Sequence, residues 1–227
     1  MPKIHDHLIQ VRNRIADALT NAGRAPDDAS LLAVSKTKPA ADLRQAYAAG
    51  QKKFGENYLQ EALEKQQQLQ DLDVEWHFIG PIQSNKTRAI AENFDWVHSV
   101  DRLKIAQRLS DQRPTERGPL KLCLQVNLDG EDSKSGVSLS ELPDLVESVK
   151  ALPHIQLRGL MAIPAPRSDF DSQKRALIPL AEALATQRGN CPSMDTLSMG
   201  MSRDLEAAIA AGATLVRIGT DIFGARD

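Results

Sequence analysis

LLAVSKTKP, Leu31 to Pro39, sets four apolar residues against a lysine, Lys36, and a closing proline. A run this short, bounded by charge and ended by a residue that cannot continue a central strand, reads as a strand buried in a parallel sheet. Its carboxyl end carries Lys36. An ammonium group desolvated at such a place has its charged form disfavoured, which frees the amine as a nucleophile towards aldehydes and leads to Schiff-base chemistry. The plain alternative is a solvated strand-end lysine.

Helices flank this strand on both sides. Ile4, Leu8, Val11, Ile15 and Leu19 recur at helical spacing and predict an amphipathic helix over residues 3–21, ending near Gly23. KPAADLRQAYAAG places Pro39 at the first turn and Gly50 just past the last turn of a second helix. A brief strand follows at 52–58, then helix from Gln60 to Leu72. The alternation continues through EWHFIG (75–80), DWVHSV (95–100), LKLCLQVN (120–127), IQLRGLMAI (155–163), TLSMG (196–200) and TLVRIG (214–219). Ser138 and Glu141 have capping-box spacing before one intervening helix, and Ser202 precedes another that closes at Gly212. Eight strand candidates alternating with helices over 227 residues predict a single-domain α/β fold, a (β/α)8 TIM barrel spanning 1–227 with an extra amino-terminal helix. A doubly wound open sheet is the other arrangement the pattern allows.

Composition narrows the function classes. Net charge is −2 with both signs interspersed, and five Phe and two Tyr leave no basic, aromatic-studded surface for nucleic acid. MPKIHDHLIQVRNRI holds no continuous apolar segment, which argues against a secretory signal or a membrane span and for a cytoplasmic protein. Cys123 and Cys191 read as reduced, packed thiols, and no zinc-like spacing exists. His77 reads as a hydrogen-bonded core histidine with a weaker claim to a role under a cofactor, and Gln66 to Gln68 with their charged neighbours as a solvated helix face.

In a barrel, chemistry gathers where the strands end. That rule collects Lys36 and Lys38, Asn57 and Tyr58, Ser84 to Lys86, Asn127 and the loop LDGEDSKSG with Lys134, Ala162, Ser198 to Ser202, and Arg217 to Thr220 on one rim. SMGMS (198–202) runs into a helix start and RIGT (217–220) adds small-residue amides beside it, an arrangement suited to a phosphate. Asp204 and Glu206 would repel an anion there unless they point away. A lysine at strand one with a phosphate cup at strands seven and eight describes a pyridoxal 5′-phosphate (PLP) site. The candidate cofactor set is Lys36, Asn57, Ser198, Gly200, Met201, Ser202, Arg217, Gly219 and Thr220, with no metal ligands.

The motifs AVSKTKP, FGENYLQE, WHFIGPIQSNK, DSKSG in place of NSKSG, RGLMAIP, LSMGMS and VRIGT run nearly the whole chain, from VRNRI to FGARD. On these segments the chain resembles the pyridoxal-phosphate homeostasis protein family. The resemblance implies PLP held on Lys36 and a carrier or regulator of the cellular vitamin B6 and PLP pool without robust turnover, serving PLP-dependent apo-enzymes. More distantly, the chain is similar to the barrel domain of alanine racemases, whose arginine facing the pyridine nitrogen corresponds to Arg217. A guanidinium only donates, so that nitrogen would stay unprotonated and the ring would be a weaker electron sink. The racemases' carboxyl-terminal β domain, with its tyrosine base, has no counterpart before Asp227, which implies a monomer and leaves Lys36 without a second base; Tyr58 is the one rim tyrosine. Lys38 and Lys134 are candidates to accept the aldehyde from Lys36 and pass it outward, against the reading that both are solvated. Two other functions stay open, a PLP-dependent amino-acid racemase and a sugar-phosphate or nucleotide enzyme.

Overall fold

Apolar runs too short for helices become strands covered on both faces. In the computed structural model, which describes residues 4–130 and 135–225, they are β1 (Ser30–Val34), β2 (Lys53–Glu56), β3 (Glu75–Phe78), β4 (Trp96–Val100), β5 (Leu120–Gln125), β6 (Ile155–Met161), β7 (Thr196–Ser198) and β8 (Leu215–Ile218). They pair in parallel in chain order, and β8 returns to β1 with Leu32 opposite Arg217. The closed order bears out the predicted barrel and excludes the open sheet.

Parallel neighbours need a crossover, and the helices provide it. These are α2 (Ala40–Ala48), α3 (Leu59–Gln68), α4 (Thr87–Asn93), α5 (Leu103–Gln112), α6 (Leu142–Lys150), α7 (Phe170–Arg188) and α8 (Leu205–Ala210), and the short α9 (Thr220–Phe223) follows β8. The expected capping box forms one turn ahead of α6, where Ser138 N and Glu141 N each donate to the other's side chain at 3.3 Å. None of the described helices is long and apolar enough to cross a membrane.

The extra helix, α1 (Ile4–Asn21), packs against α2, α8 and α9, the helices on either side of β1 and β8. Leu8, Val11, Ile15 and Leu19 are buried, and Arg14 reaches across to Glu206 (3.0 Å), Asp221 (2.7 Å) and the carbonyl of Ser202 (3.1 Å). The helix therefore anchors the segment that follows β7.

Two glycines at the ends of β7 and β8 are demanded by packing before any ligand is considered. Gly200 has φ +93°, and a Cβ there would lie 2.5 Å from Ala208 Cβ. A Cβ on Gly219 would meet the Val34 carbonyl at 2.9 Å. Inside the barrel, where branched aliphatic residues are usual, Trp96, Cys123 and Met161 form a small cluster of their own beside His77, His98, Ser198 and Arg217, all buried.

Candidate cofactor site

Lys36 sits two residues past β1, half-buried, in a loop whose shape is imposed from below. Thr37 takes φ +64°, a left-handed conformation costing a non-glycine residue about 1–2 kcal/mol. What holds it is an ion cluster. Lys65 of α3, only 4% exposed, donates to the Ser35 carbonyl (2.7 Å), to Glu56 Oε1 (2.7 Å) and to Glu61. Ser35 Oγ donates to the same Glu56 oxygen at 2.6 Å, and Thr37 N donates to Glu61 Oε1 at 2.6 Å. Burial pushes the Glu56 carboxyl up, against the opposing pull of Lys65. Its second oxygen is buried with no hydrogen-bond partner among the described residues.

Across the rim, Arg217 of β8 lies buried with Nη1 donating to the carbonyl and hydroxyl of Ser198 and Nη2 to the carbonyl of Ala162 (3.0 Å). Burial pushes its guanidinium down to about 10, with Asp204 pulling the other way, so it stays protonated at neutral pH. Lys36 and Arg217 line one cavity of about 450 Å³ together with Asn57, Met201, Ser202, Gly219 and Thr220, closed on its apolar side by Val34, Ile79 and Ile163. Asn57 Oδ1 is buried there without a partner among the described residues.

The remaining predicted site residues fall elsewhere. Ser198 and Gly200 lie behind the cavity wall: the Ser198 hydroxyl bonds Arg217 and His98, and the Gly200 carbonyl accepts from Arg217 N at 2.9 Å. Lys38 turns outward, its Nζ donating to the Ala225 carbonyl at 2.7 Å. Lys134 lies outside the described residues. Of the two acids after β7, Glu206 turns away to pair with Arg14, whereas Asp204 lines the cavity beside Arg217, its Oδ1 accepting from Met201 N at 2.7 Å. Tyr58 is 51% exposed and stands off the lining.

Two buried histidines link this rim to the opposite one. His77 Nε2 meets Glu75 Oε1 at 2.9 Å, its Nδ1 meets His98 Nε2 at 2.8 Å, and His98 Nδ1 meets Ser198 Oγ at 2.7 Å. Burial pushes both imidazoles down; Lys53 adds to this at His77 while Glu75 and Asp95 oppose it, and at His98 His77 and Arg217 push the same way. The His77 hydrogen bond holds the Glu75 carboxyl down at about 2. A histidine neutral in the fold takes up protons first when unfolded. Its contribution is therefore complete above the ordinary value of 6.5 and declines as pH falls below it. The unfolding free energy from urea titration, and with it the urea midpoint, is expected to drop from pH 6.5 to 5, the free energy by up to about 1.4 kcal/mol per pH unit for each histidine, and less steeply in His98→Gln. Equal midpoints at pH 7 and 5 would contradict neutral, buried rings.

Sequence reasoning missed Lys65, Glu56, Glu75 and His98. Lys65 belongs to a polar helix read as solvated, and its burial comes from two acids distant in sequence. A lysine four residues after Glu61 was the available signal.

The alanine racemase N-terminal domain profile matches residues 7–227. A pyridoxal phosphate homeostasis protein of Pseudomonas aeruginosa is 61% identical over all of this chain and 97% of its own length, and one of Escherichia coli is 55% identical over 100% and 98%. The chain belongs to the pyridoxal phosphate homeostasis protein family. Among solved structures of this family's likeness, PipY of Synechococcus elongatus with PLP bound superimposes with a TM-score of 0.81 at 40% identity, over 92% of this chain and all of that one. Alanine racemase of Corynebacterium glutamicum, 20% identical with a TM-score of 0.68 over 95% of this chain and 60% of that one, shares the fold.

Proposed function

We propose that this chain binds PLP in the 450 Å³ cavity through Lys36 and serves PLP homeostasis as a carrier or regulator rather than by turnover. The observation that carries the reading is the convergence of the half-buried Lys36, the buried permanent cation Arg217, and Ser202 and Thr220 on one concave, partly apolar cavity of ordinary ligand size. The donor set fits the group. PLP supplies an aldehyde to an amine and a pyridine ring to an electron pair. Ser202, Thr220 and the backbone at Gly219 offer donors to a phosphate, the pairing of Glu206 with Arg14 keeps that carboxylate away, and Arg217 sets a positive charge beside Asp204, the carboxylate that lines the cavity. Arg217 can only donate, so a ring nitrogen facing it stays unprotonated. The described lining contains no Tyr, His or Cys to pair with Lys36 as a second base, and its carboxylate, Asp204, is committed through Oδ1 to Met201 N. That supports holding over turnover.

Titration with PLP and with pyridoxal tests the cup. Pyridoxal is expected to bind at least about tenfold more weakly, because charge-assisted hydrogen bonds to the phosphate are lost. Equal affinities would overturn the assignment. Delivery to an apo-enzyme is the finer part of the proposal, with Lys38 as a second amine beyond Lys36. Transfer of PLP to an apo-acceptor should slow in Lys38→Ala; unchanged transfer would remove Lys38 from that role.

A further inference from the structure

The four contacts from Glu75 to Arg217 have ends that fix every proton between them. A guanidinium only donates, and a carboxylate held at about 2 only accepts at neutral pH. Ser198 Oγ accepts a hydrogen bond from Arg217 Nη1 (2.8 Å), which leaves its own hydrogen available to His98 Nδ1 (2.7 Å), the sense that the acceptor at the Glu75 end imposes. His98 Nε2–H then donates to His77 Nδ1 (2.8 Å), and His77 Nε2–H to Glu75 (2.9 Å). The reverse order would set acceptor against acceptor at the Glu75 end, or place a positive charge on a fully buried ring. Both histidines are thus neutral with the proton on Nε2, and Trp96, stacked on His77 at 5.4 Å and 9°, resists rotation of that ring.

This file of donors crosses the barrel. Glu75 is the first residue of β3, at the amino-terminal rim, while Arg217 lines the cavity at the carboxyl-terminal rim. Each member is satisfied only while its neighbours hold their sense, and such chains reinforce one another.

We propose that Glu75, His77, His98 and Ser198 are positioning residues for Arg217, a one-way hydrogen-bond relay through which the opposite rim of the barrel fixes the guanidinium that faces the ligand. The affinity arm of the test rests on the PLP reading above; the tautomer arm does not.

Side-chain 15N NMR of the ligand-free protein should show His77 and His98 as neutral Nε2–H tautomers at pH 7. PLP titrations then compare variants. His98→Leu should weaken binding about tenfold and His98→Gln, which keeps a donor and an acceptor, should restore it to within about threefold. Glu75→Leu changes a partly exposed rim residue that does not line the cavity and should weaken binding about threefold, whereas Lys121→Ala, which removes a cation 3.6 Å from the same carboxylate but no relay member, should leave it unchanged. A charged or Nδ1–H imidazole at either position, or parental affinity in both His98→Leu and Glu75→Leu, would overturn the relay. Should His98→Leu fail to fold, Glu75→Leu against Lys121→Ala still decides. A parent protein that does not bind PLP would sink the pocket reading, and the tautomers would still decide the relay.

Discussion

Lys36→Ala is expected to abolish the visible absorbance that PLP acquires on the protein and to weaken its retention by roughly two orders of magnitude, about 2.7 kcal/mol. The amine is the only group in the described lining that condenses with an aldehyde. Loss of its side chain leaves the noncovalent donors at Arg217, Ser202 and Thr220 in place, so residual binding should persist. The loop itself should stay folded, because Lys65 and Glu61 grip Ser35 and Thr37 through backbone atoms. An unchanged band in Lys36→Ala would transfer the chemistry to another lysine.

The second large effect concerns stability. Lys65→Met removes the cation beneath that loop and leaves Glu56, fully buried, without its counter-charge. Breaking a buried pair from one side costs about 3–5 kcal/mol, which for a chain of this size lowers Tm by roughly 6–20 °C. The double variant with Glu56→Gln should recover at least half of the loss, since no charge is then stranded. Burial already raises the Glu56 carboxyl. Without Lys65 it rises further, so the deficit of Lys65→Met relative to the parent should shrink as pH falls towards 5 and the carboxyl takes up a proton. Equal Tm values for parent and single variant would mean that the cluster contributes no net stability.

Much of the architecture was legible because it is written in local patterns. β1 and Lys36 follow from an apolar run closed by Pro39, and the alternation of short runs with helical periods leads to the closed barrel. The rim rule then brings Asn57, Met201, Ser202, Arg217, Gly219 and Thr220 to the cavity that Lys36 lines. Other parts were not legible, for a physical reason. Gly200 was read as part of a phosphate cup, yet its φ of +93° and the 2.5 Å approach to Ala208 already require glycine. Ser198 sits in the same motif, but strand parity turns its hydroxyl into the barrel, towards Arg217 and His98. His98 lies in a strand whose five residues are all buried, and its partners are 21 and 100 residues away. Such polar networks are set by pairings distant in sequence, which no local period encodes.

Lys36 is the amine we propose holds PLP. Reduction of the PLP-loaded protein with sodium borohydride, followed by proteolysis and mass spectrometry, fixes the cofactor to whichever lysine carried it. Pyridoxyl label on the peptide containing Lys36, absent in Lys36→Ala, is the predicted result; label on Lys38 or any other lysine with Lys36 unmodified would contradict it.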